Sequence, residues 1–290
     1  MKHKIITFGE LMLRLSPDNN ERFTQAHSYE AVYGGGEANT AVSLANFNVD
    51  TRYVTKLPNH TIGQSAVNSL RQYGVDVSRI VRGGDQIGIY FLEKKTSQRP
   101  TNVIYNRNGS AFALATKEDF DWNSIFEGAT WFHFSGITPA ISDNMAEITI
   151  EACKEAKKRN ITVSCDLNYR SKLWSSEKAN KVMSEVCKYV DICIANEDDA
   201  VGIFGMNASK SDKEKNAYIA EELTKMFPNF KMVASVWRTE TSITTFKLQS
   251  MIYTDGKAYY SQEFFMNILD YIGAGDAYCA GIIYSLINGF

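Results

Sequence analysis

The sequence predicts an α/β fold in which a mostly parallel β-sheet is covered by helices on both faces, with a second, smaller β-sheet standing over it. Short apolar runs alternate with segments of helical spacing along most of the 290 residues, as repeated strand–helix–strand units do. Two aromatic-rich stretches interrupt that alternation. Hydrophobic residues make up 44% of the chain and charged residues 22%, a typical globular composition that excludes a disordered or collagen-like protein.

The short apolar runs predict strands, and the residues between them have helical spacing. In the first helix, for example, Ala38, Ala41 and Ala45 share one face, and Gly74 ends the second helix. We expect the strands at residues 5–8, 52–55, 130–134, 161–165, 191–195 and 232–236. We expect the helices at residues 37–47, 62–73, 144–159, 177–189 and 213–227, and a last one that follows the glycines at 273 and 275. No repeat or flexible linker divides the chain, so we expect one domain over residues 1–290.

The two interrupting stretches, about residues 11–33 and 87–107, contain short alternating segments that are rich in aromatic residues. This pattern predicts antiparallel strands inserted into the α/β body, where a small sheet would act as a lid and shield a reaction from water. Ordinary edge strands are the alternative. Because aromatic strands with an exposed edge favour association, we expect a homodimer formed through the lid.

Charge and apolar patterning exclude several classes of partner. The chain carries 31 basic and 33 acidic residues. It therefore lacks the basic excess that is typical of nucleic-acid-binding proteins. No apolar run reaches the roughly 18 residues of a membrane span, and the first residues do not form a signal peptide. The five cysteines form no CxxC pair and lie in apolar runs, which predicts buried, reduced thiols and a cytoplasmic protein.

The segment that says most about chemistry is Gly273-Ala274-Gly275-Asp276, which opens the last helix. Small residues let backbone amides converge there, and together with the helix dipole they favour an anion. Asp276 would then accept a proton from a hydroxyl group while the amides hold developing phosphoryl charge. The alternative is that Asp276 only caps the helix.

A second glycine cluster, Gly34-Gly35-Gly36, also opens a helix and is followed by Asn39. Close backbone approach and an amide side chain that both donates and accepts would suit a polyhydroxylated ligand. A tight strand-to-helix turn is the alternative. The sequence has no GxxxxGK(S/T) motif, no complete GxGxxG, no zinc-ligand spacing and no GxSxG elbow, which argues against P-loop, dinucleotide-binding, zinc and serine-hydrolase chemistry.

The two glycine clusters, in this order and separation, resemble the two signatures of the ribokinase-like sugar kinases, also called the phosphofructokinase-B family. The resemblance covers essentially the whole chain. It implies a three-layer α/β/α ribokinase-like fold with a small β lid, and phosphorylation of a sugar hydroxyl with ATP and Mg²⁺. It also implies that Asp276 is the general base and that the amides of Gly273, Ala274 and Gly275 bind the transferred phosphate.

Residues 103–111 and 166–174 resemble the 2-keto-3-deoxygluconate kinases of that family. The resemblance implies that Arg107, with Tyr90 and Tyr105, faces the acid end of the substrate and that Arg170 lies nearer the transfer site. A guanidinium matches a carboxylate with two parallel hydrogen bonds, which a neutral sugar does not need. The other expected sugar-binding residues are Gly34, Gly35, Asn39 and Asn168. A surface ion pair is the alternative for each arginine, and a fructokinase, a ribokinase or a silent sugar-binding relative is the alternative function.

Residues 195–199 resemble the NxxE motif that this family uses for magnesium and phosphate, except that the last position is Asp199, whose side chain is one methylene shorter than Glu. The resemblance implies that Asn196 contacts the nucleotide and that Asp199, or the nearby Glu197, binds Mg²⁺. Acidic residues that favour a helix N-terminus are the alternative.

Three features depart from the family pattern. Residues 235–241 lack the glycine of a turn near the nucleotide, and we expect Arg238 to contact nucleotide phosphates there instead. Tyr271 and Ile272 replace the more usual pair before the anion site. Only 14 residues follow Asp276, so we expect the C-terminal helices that build the adenine pocket in relatives to be missing from this chain.

Overall fold

The computed structural model describes residues 3–96, 99–206, 212–240, 245–267, 270 and 272–290. Its strands, in chain order, are β1 (Lys4–Phe8), β2 (Met12–Pro17), β3 (Tyr29–Gly34), β4 (Asp50–Val54), β5 (Lys56–Leu57), β6 (Val81–Arg82), β7 (Ile89–Glu93), β8 (Asn102–Asn106), β9 (Trp131–Ser135), β10 (Thr162–Asp166), β11 (Ile192–Ile194), β12 (Met232–Glu240), β13 (Thr245–Thr254), β14 (Lys257–Tyr260) and β15 (Phe264–Asn267). Its α-helices are α1 (Gly36–Asn46), α2 (Thr61–Arg71), α3 (Trp122–Ile125), α4 (Ile137–Ala140), α5 (Asp143–Lys158), α6 (Ser176–Val186), α7 (Glu197–Phe204), α8 (Asp212–Met226) and α9 (Ala274–Asn288).

The main sheet is mostly parallel, as predicted. The strands β12, β11, β10, β9, β1 and β4 lie side by side in that order, and each is parallel to its neighbours. Beyond β12 the sheet continues with β13, which pairs antiparallel with β12, β14 and β15. The sequence pattern does not predict this antiparallel extension, and β12 continues through residue 240 where a turn was expected.

Helices cover both faces of this sheet because successive strand residues point to opposite sides. Ile6 and Phe132 belong to a core that they share with buried residues of α5, α6, α7 and α8. The preceding residues, Ile5 and Trp131, belong to a second core shared with α1 and α9. The predicted three-layer α/β/α arrangement is therefore confirmed.

The two aromatic-rich stretches form a separate four-stranded sheet in the order β3-β2-β7-β8, which we call the small sheet. Two of its pairs, β2–β3 and β7–β8, are antiparallel hairpins, as expected. The central pair, β2–β7, is parallel, which corrects the prediction of antiparallel strands throughout. The reason is topological: β2 and β7 come from two separate insertions rather than from one hairpin, and parallel strands need a long connection.

The long helices begin at residues that satisfy their first free N–H groups. The side chains of Ser142, Ser175 and Asn196 accept hydrogen bonds from the first turns of α5, α6 and α7, as N-cap residues do. All five cysteines are buried and unpaired with one another, as expected from their apolar surroundings. Within the described part of the chain, no helix combines the length and the apolar character that crossing a membrane requires.

Candidate active site

The carboxyl ends of β10, β11 and β12 meet the first turn of α9 at one edge of the main sheet. Ligands bind at this edge in open α/β sheets. A cavity of about 740 Å³ opens here, which we call the large cavity. It is lined by residues 273–275 and by the predicted site residues Asn168, Arg170, Asn196, Asp199, Arg238 and Asp276. The structure therefore brings together residues that lie up to 108 positions apart in the sequence.

The glycine turn before α9 has the geometry of an anion site. Gly273 has φ +83°, a left-handed conformation that favours glycine, and it caps a helix of 15 residues. The first N–H groups of such a helix have no intrahelical acceptor, and its dipole is positive at this end. Ala274 and Gly275 in the first turn are exposed to the large cavity. An anion in this cavity would meet free N–H groups.

Asp276 lies in the same first turn and is fixed by α1. The side-chain amide of Asn39 donates a 2.7 Å hydrogen bond to Oδ2 of Asp276, and Thr40 Oγ1 donates to its carbonyl oxygen at 3.3 Å. Burial raises the pKa of the Asp276 carboxyl, whereas the hydrogen bond from Asn39 and the charge of Arg170 oppose that shift. Gly273, not Asp276, occupies the N-cap position, so the structure does not use this carboxylate as the helix cap.

Three carboxylates, those of Asp166, Asp199 and Asp276, face the large cavity around one guanidinium. Burial, together with the nearby charge of Asp199, raises the pKa of Asp166 to about 7. Burial also raises the pKa of Asp199 to about 6, and the positive charge of Arg170 opposes the shift in all three acids. Arg170 donates a long hydrogen bond of 3.4 Å to the Tyr169 carbonyl oxygen, and its side chain is exposed and lines the large cavity.

The two predicted metal ligands differ in their surroundings. Asp199 forms a capping box with Asn196: each accepts the other's backbone N–H at 3.0 Å, and Tyr169 N donates to Oδ1 of Asp199 at 2.7 Å. Glu197 is outside the large cavity and forms an ion pair of 2.8 Å with Lys215. In the described ranges, no group of three or more His, Cys, Asp or Glu side chains is arranged to hold a metal ion. Asp199 therefore stabilises the start of α7, and metal binding by Asp199 or Glu197 stays a prediction.

A second cavity, of about 320 Å³, lies between the small sheet and α1, and we call it the small cavity. Gly34, Asn39 and Tyr90, three of the predicted sugar-binding residues, line it. Ile272 and Gly273 line both cavities, so the two meet at the glycine turn. A ligand in the small cavity and an anion in the large one would therefore be neighbours at Asp276.

Arg107 does not line either cavity. Its guanidinium forms a buried ion pair with Glu10, in which Nε donates to Oε2 at 2.8 Å, and Ser110 Oγ donates to the other Glu10 oxygen at 2.6 Å. Tyr105 also lies outside the cavity linings, between the Tyr90 ring at 5.9 Å and the Arg107 guanidinium at 5.7 Å. The expected contact of Arg107 with an acidic substrate therefore competes with an ion pair that already exists in the structure.

The remaining positions singled out from the sequence are Gly35, Arg238 and Tyr271. A Cβ atom at Gly35 would lie 2.1 Å from the Glu10 carbonyl oxygen, so this glycine allows a close backbone approach rather than lining a cavity. Arg238 lies on β12 and lines the large cavity, although it follows no turn. Tyr271 and Thr241 lie outside the described residues.

Asp166 and Arg14 line the cavities but were not assigned from the sequence. Asp166 ends β10 and faces the large cavity, and the placement of an acid at the carboxyl end of a predicted parallel strand was the available signal. Arg14 lines the small cavity from β2, where it alternates with Leu13 and Leu15. That alternation predicts a strand, but it does not show which face of the strand meets a ligand.

Comparisons with known proteins agree with this geometry. A family model described as pfkB family carbohydrate kinase matches residues 2–289. The crystal structure of 2-dehydro-3-deoxygluconokinase from Thermotoga maritima superimposes with a TM-score of 0.96 at 45% identity, covering 100% of this chain and 88% of that one. A PfkB family carbohydrate kinase from Listeria grayi gives a TM-score of 0.92 at 33% identity, covering 99% and 88% of the two chains.

A sequence relative from Haloferax volcanii, a 2-dehydro-3-deoxygalactonokinase, is 33% identical over 292 residues, which cover 100% of this chain and 86% of that protein. The family resemblance carried by the two glycine clusters is thus confirmed. The glycine turn that opens α9, the carboxylate beside it and the match over nearly the whole length lead to one conclusion: this chain belongs to the pfkB family of carbohydrate kinases.

Proposed function

We propose that this carbohydrate kinase transfers the γ-phosphoryl group of ATP to the 6-hydroxyl of 2-keto-3-deoxygluconate. The observation that carries the proposal is that Asp276 lines the large cavity in the first turn of α9, and its Oδ2 lies 3.7 Å from a Cβ atom built on Gly273, where the two cavities meet. The relatives named as kinases of 2-dehydro-3-deoxy sugar acids support this class of substrate.

In this proposal Asp276 is the general base. Its carboxylate accepts the proton of the sugar hydroxyl as that oxygen forms its bond to phosphorus and the bond from phosphorus to the ADP oxygen breaks. The hydrogen bond from Asn39 fixes Oδ2, so the carboxylate needs no reorientation when the substrate arrives. Burial keeps its pKa above the ordinary value, which makes it a better proton acceptor than a fully solvated aspartate.

In this proposal, the negatively charged phosphoryl group lies at the N-terminus of α9 during transfer. Ala274, Gly275 and Asp276 form the first turn of α9, whose N–H groups have no intrahelical acceptor, and all three residues line the large cavity; the helix dipole adds to the effect of these N–H groups. Arg170 lies at the same cavity and faces the carboxylates of Asp166 and Asp276. We assign to it the stabilisation of charge on the transferred group, because a guanidinium matches phosphate oxygens with parallel donors.

The acidic wall of the large cavity fits a magnesium ion bound together with ATP. Mg²⁺ retains several waters and takes one or two carboxylates beside substrate phosphates. Asp166 suits this role, because burial raises its pKa to about 7 and a bound cation would stabilise its ionised form. When bound, the ion would neutralise phosphate charge. Both oxygens of Asp199 are engaged by backbone N–H groups, so we assign Asp199 to positioning the start of α7 instead.

The test is an assay of ADP release with Mg²⁺ and a panel of sugars. We expect turnover with 2-keto-3-deoxygluconate or its galactonate epimer and little turnover with fructose, ribose or no sugar. Turnover with a neutral sugar alone would keep the kinase chemistry and reject the sugar acid. Silence with every sugar, when ATP binding is intact by calorimetry, would instead favour a sugar-binding relative without catalysis.

A further inference from the structure

Arg14 occupies the centre of the face that the small sheet turns toward the small cavity. On the neighbouring strands it stands opposite Val32 of β3 and Tyr90 of β7. All three residues line the small cavity. Because residues directly opposite one another in adjacent strands share a face, the guanidinium is presented to the cavity by a row of three paired strands rather than by a loop.

Arg14 supplies positive charge to a cavity that otherwise has none in the described part of the chain. Each other described lining residue is apolar, a glycine or uncharged and polar. The Nε atom of Arg14 is buried and has no hydrogen-bond partner. A buried guanidinium donor without an acceptor is costly, so a ligand oxygen that reached it would bind favourably.

A row of polar groups connects Arg14 to the proposed base. Arg14 is opposite Tyr90 in the neighbouring strand. Burial raises the pKa of the Tyr90 hydroxyl, and the Arg14 guanidinium opposes that shift. A Cβ atom built on Gly34 would be 3.6 Å from the Tyr90 hydroxyl and 3.8 Å from Oδ1 of Asn39, so these two groups lie close to the same point. Asn39 in turn donates to Asp276. Arg14 and Asp276 thus stand at opposite ends of one polar row.

Arg107, the arginine predicted from the sequence to face the acid, forms an ion pair with Glu10 instead. Its partner, Glu10, is buried, and neither residue lines the small cavity. Turning Arg107 to a ligand would leave the Glu10 carboxylate buried without its cation, which is strongly unfavourable. Arg14 needs no such rearrangement.

We propose that Arg14 binds the carboxylate of the sugar acid and is the residue by which the enzyme selects acidic over neutral sugars. The inference rests on the proposed function and assigns its substrate specificity to one side chain. With the carboxylate held at Arg14, the chain of the sugar extends along Tyr90 and Asn39 and presents its other end, which carries the reacting hydroxyl, to Asp276. A planar guanidinium orients a carboxylate through two parallel hydrogen bonds, whereas an ammonium does not.

The test compares two substrates that differ only at the proposed contact. One is 2-keto-3-deoxygluconate, and the other is the 3-deoxyketohexose in which a hydroxymethyl group replaces the carboxylate. For Arg14→Gln we expect kcat/KM for the acid to fall about 10- to 100-fold, mainly through KM, as for the loss of a charge-assisted hydrogen bond. For the neutral analogue we expect a change of less than about threefold. Arg14→Lys keeps the positive charge but cannot form two parallel hydrogen bonds with a carboxylate. Its kcat/KM for the acid should lie between the values for the wild type and Arg14→Gln.

The matched control is Arg22→Gln. Arg22 is an exposed arginine in the connection between β2 and β3 that lines neither cavity, so its loss changes the net charge equally without touching the site. We expect this variant to keep the selectivity of the wild type. Activity of Arg14→Gln on the neutral analogue shows that the variant is folded, and Arg14→Lys supplies a second measurement if it is not.

The outcomes separate this inference from the proposed function. If the wild type prefers the acid and Arg14→Gln keeps that preference, the assignment of Arg14 is overturned while the proposed function stands. Equal losses of kcat/KM for both substrates would mean that Arg14 has a structural role, and this result would also overturn the assignment. If the wild type shows no preference for the acid, the proposed function fails first, and the inference fails with it.

Discussion

Asp276 is the side chain whose removal should separate catalysis from binding. Asp276→Asn keeps the size of the side chain but cannot accept the hydroxyl proton. We expect kcat to fall at least about 100-fold, the usual contribution of a general base. Sugar binding, measured by calorimetry, should change less than about threefold, because the carboxylate is not proposed to hold the ground-state sugar. A comparable loss of binding would mean that Asp276 positions the sugar rather than taking its proton.

The raised pKa of Asp276 also predicts how activity depends on pH. The base acts in its ionised form, so activity is present above its pKa and is lost as the pH falls through that value. Because burial raises this pKa above the ordinary 3.8, the acidic limb of kcat/KM should have its midpoint above that value. A pH–rate profile that stays flat down to about pH 4 would contradict the base assignment.

The pairing of Arg107 with Glu10 predicts a change in stability. Removing one partner of a buried ion pair typically costs about 3–5 kcal/mol, because the other charge is left buried alone. We expect Arg107→Gln to lower the free energy of unfolding by this amount in urea titrations. The double variant Glu10→Gln/Arg107→Gln should be more stable than Arg107→Gln. If Arg107→Gln instead leaves stability unchanged and raises KM for the sugar acid, Arg107 contacts substrate as its motif implied.

These residues also show what a sequence can and cannot predict about a site. Asp276 and Asn39 lie in short glycine-containing motifs whose local geometry fixes their chemistry, so both could be assigned. Glu10 lies 97 positions from Arg107, and nothing local to either residue indicates their ion pair. Arg14 alternates with leucines, which predicts a strand, but only the packing of the small sheet on α1 decides what that face meets.

At the scale of elements, the first turn of α9 can be tested with two glycines of the same helix. A Cβ atom at Gly275 or at Gly281 meets nothing within 4 Å, and neither glycine has a positive φ. Alanine at either position should therefore leave stability unchanged or raise it by up to about 1 kcal/mol. Gly275→Ala should nevertheless lower kcat/KM about tenfold or more, because its methyl group enters the space proposed for the phosphoryl group.

The control in this comparison is Gly281→Ala, which lies six residues further along α9 and should keep wild-type activity. Thermal unfolding and steady-state kinetics of both variants give the result. Equal activity of the two variants would contradict the placement of the phosphoryl group at the N-terminus of α9.

The elements that the sequence predicts well are those with local causes. Helices with a serine or asparagine cap and a buried face, such as α5 and α6, begin within one residue of their expected starts. The strands β13, β14 and β15 lack such signals, because partly exposed antiparallel strands are specified by their partners in the sheet rather than by a run of apolar residues. The parallel pairing of β2 with β7 likewise depends on how two distant insertions meet.

At the scale of the whole molecule, the small sheet leaves an edge that could pair with a second copy. In β8, at one edge of this sheet, the exposed side chains include Ile104 and Tyr105. Exposed apolar edge strands favour association, so we expect a homodimer, with a mass of twice 32.6 kDa by light scattering. Ile104→Lys should shift the protein toward the monomer. A monomeric mass for the unaltered chain at micromolar concentration would contradict this expectation.

We propose that the two cavities hold a sugar acid and ATP on either side of Asp276. The most direct measurement is phosphorus NMR of the products formed from ATP, Mg²⁺ and 2-keto-3-deoxygluconate. We predict one phosphate ester at the terminal hydroxyl, formed in equal amount with ADP. A phosphate ester at another position, or release of inorganic phosphate without a sugar ester, would contradict the proposed placement of the substrate.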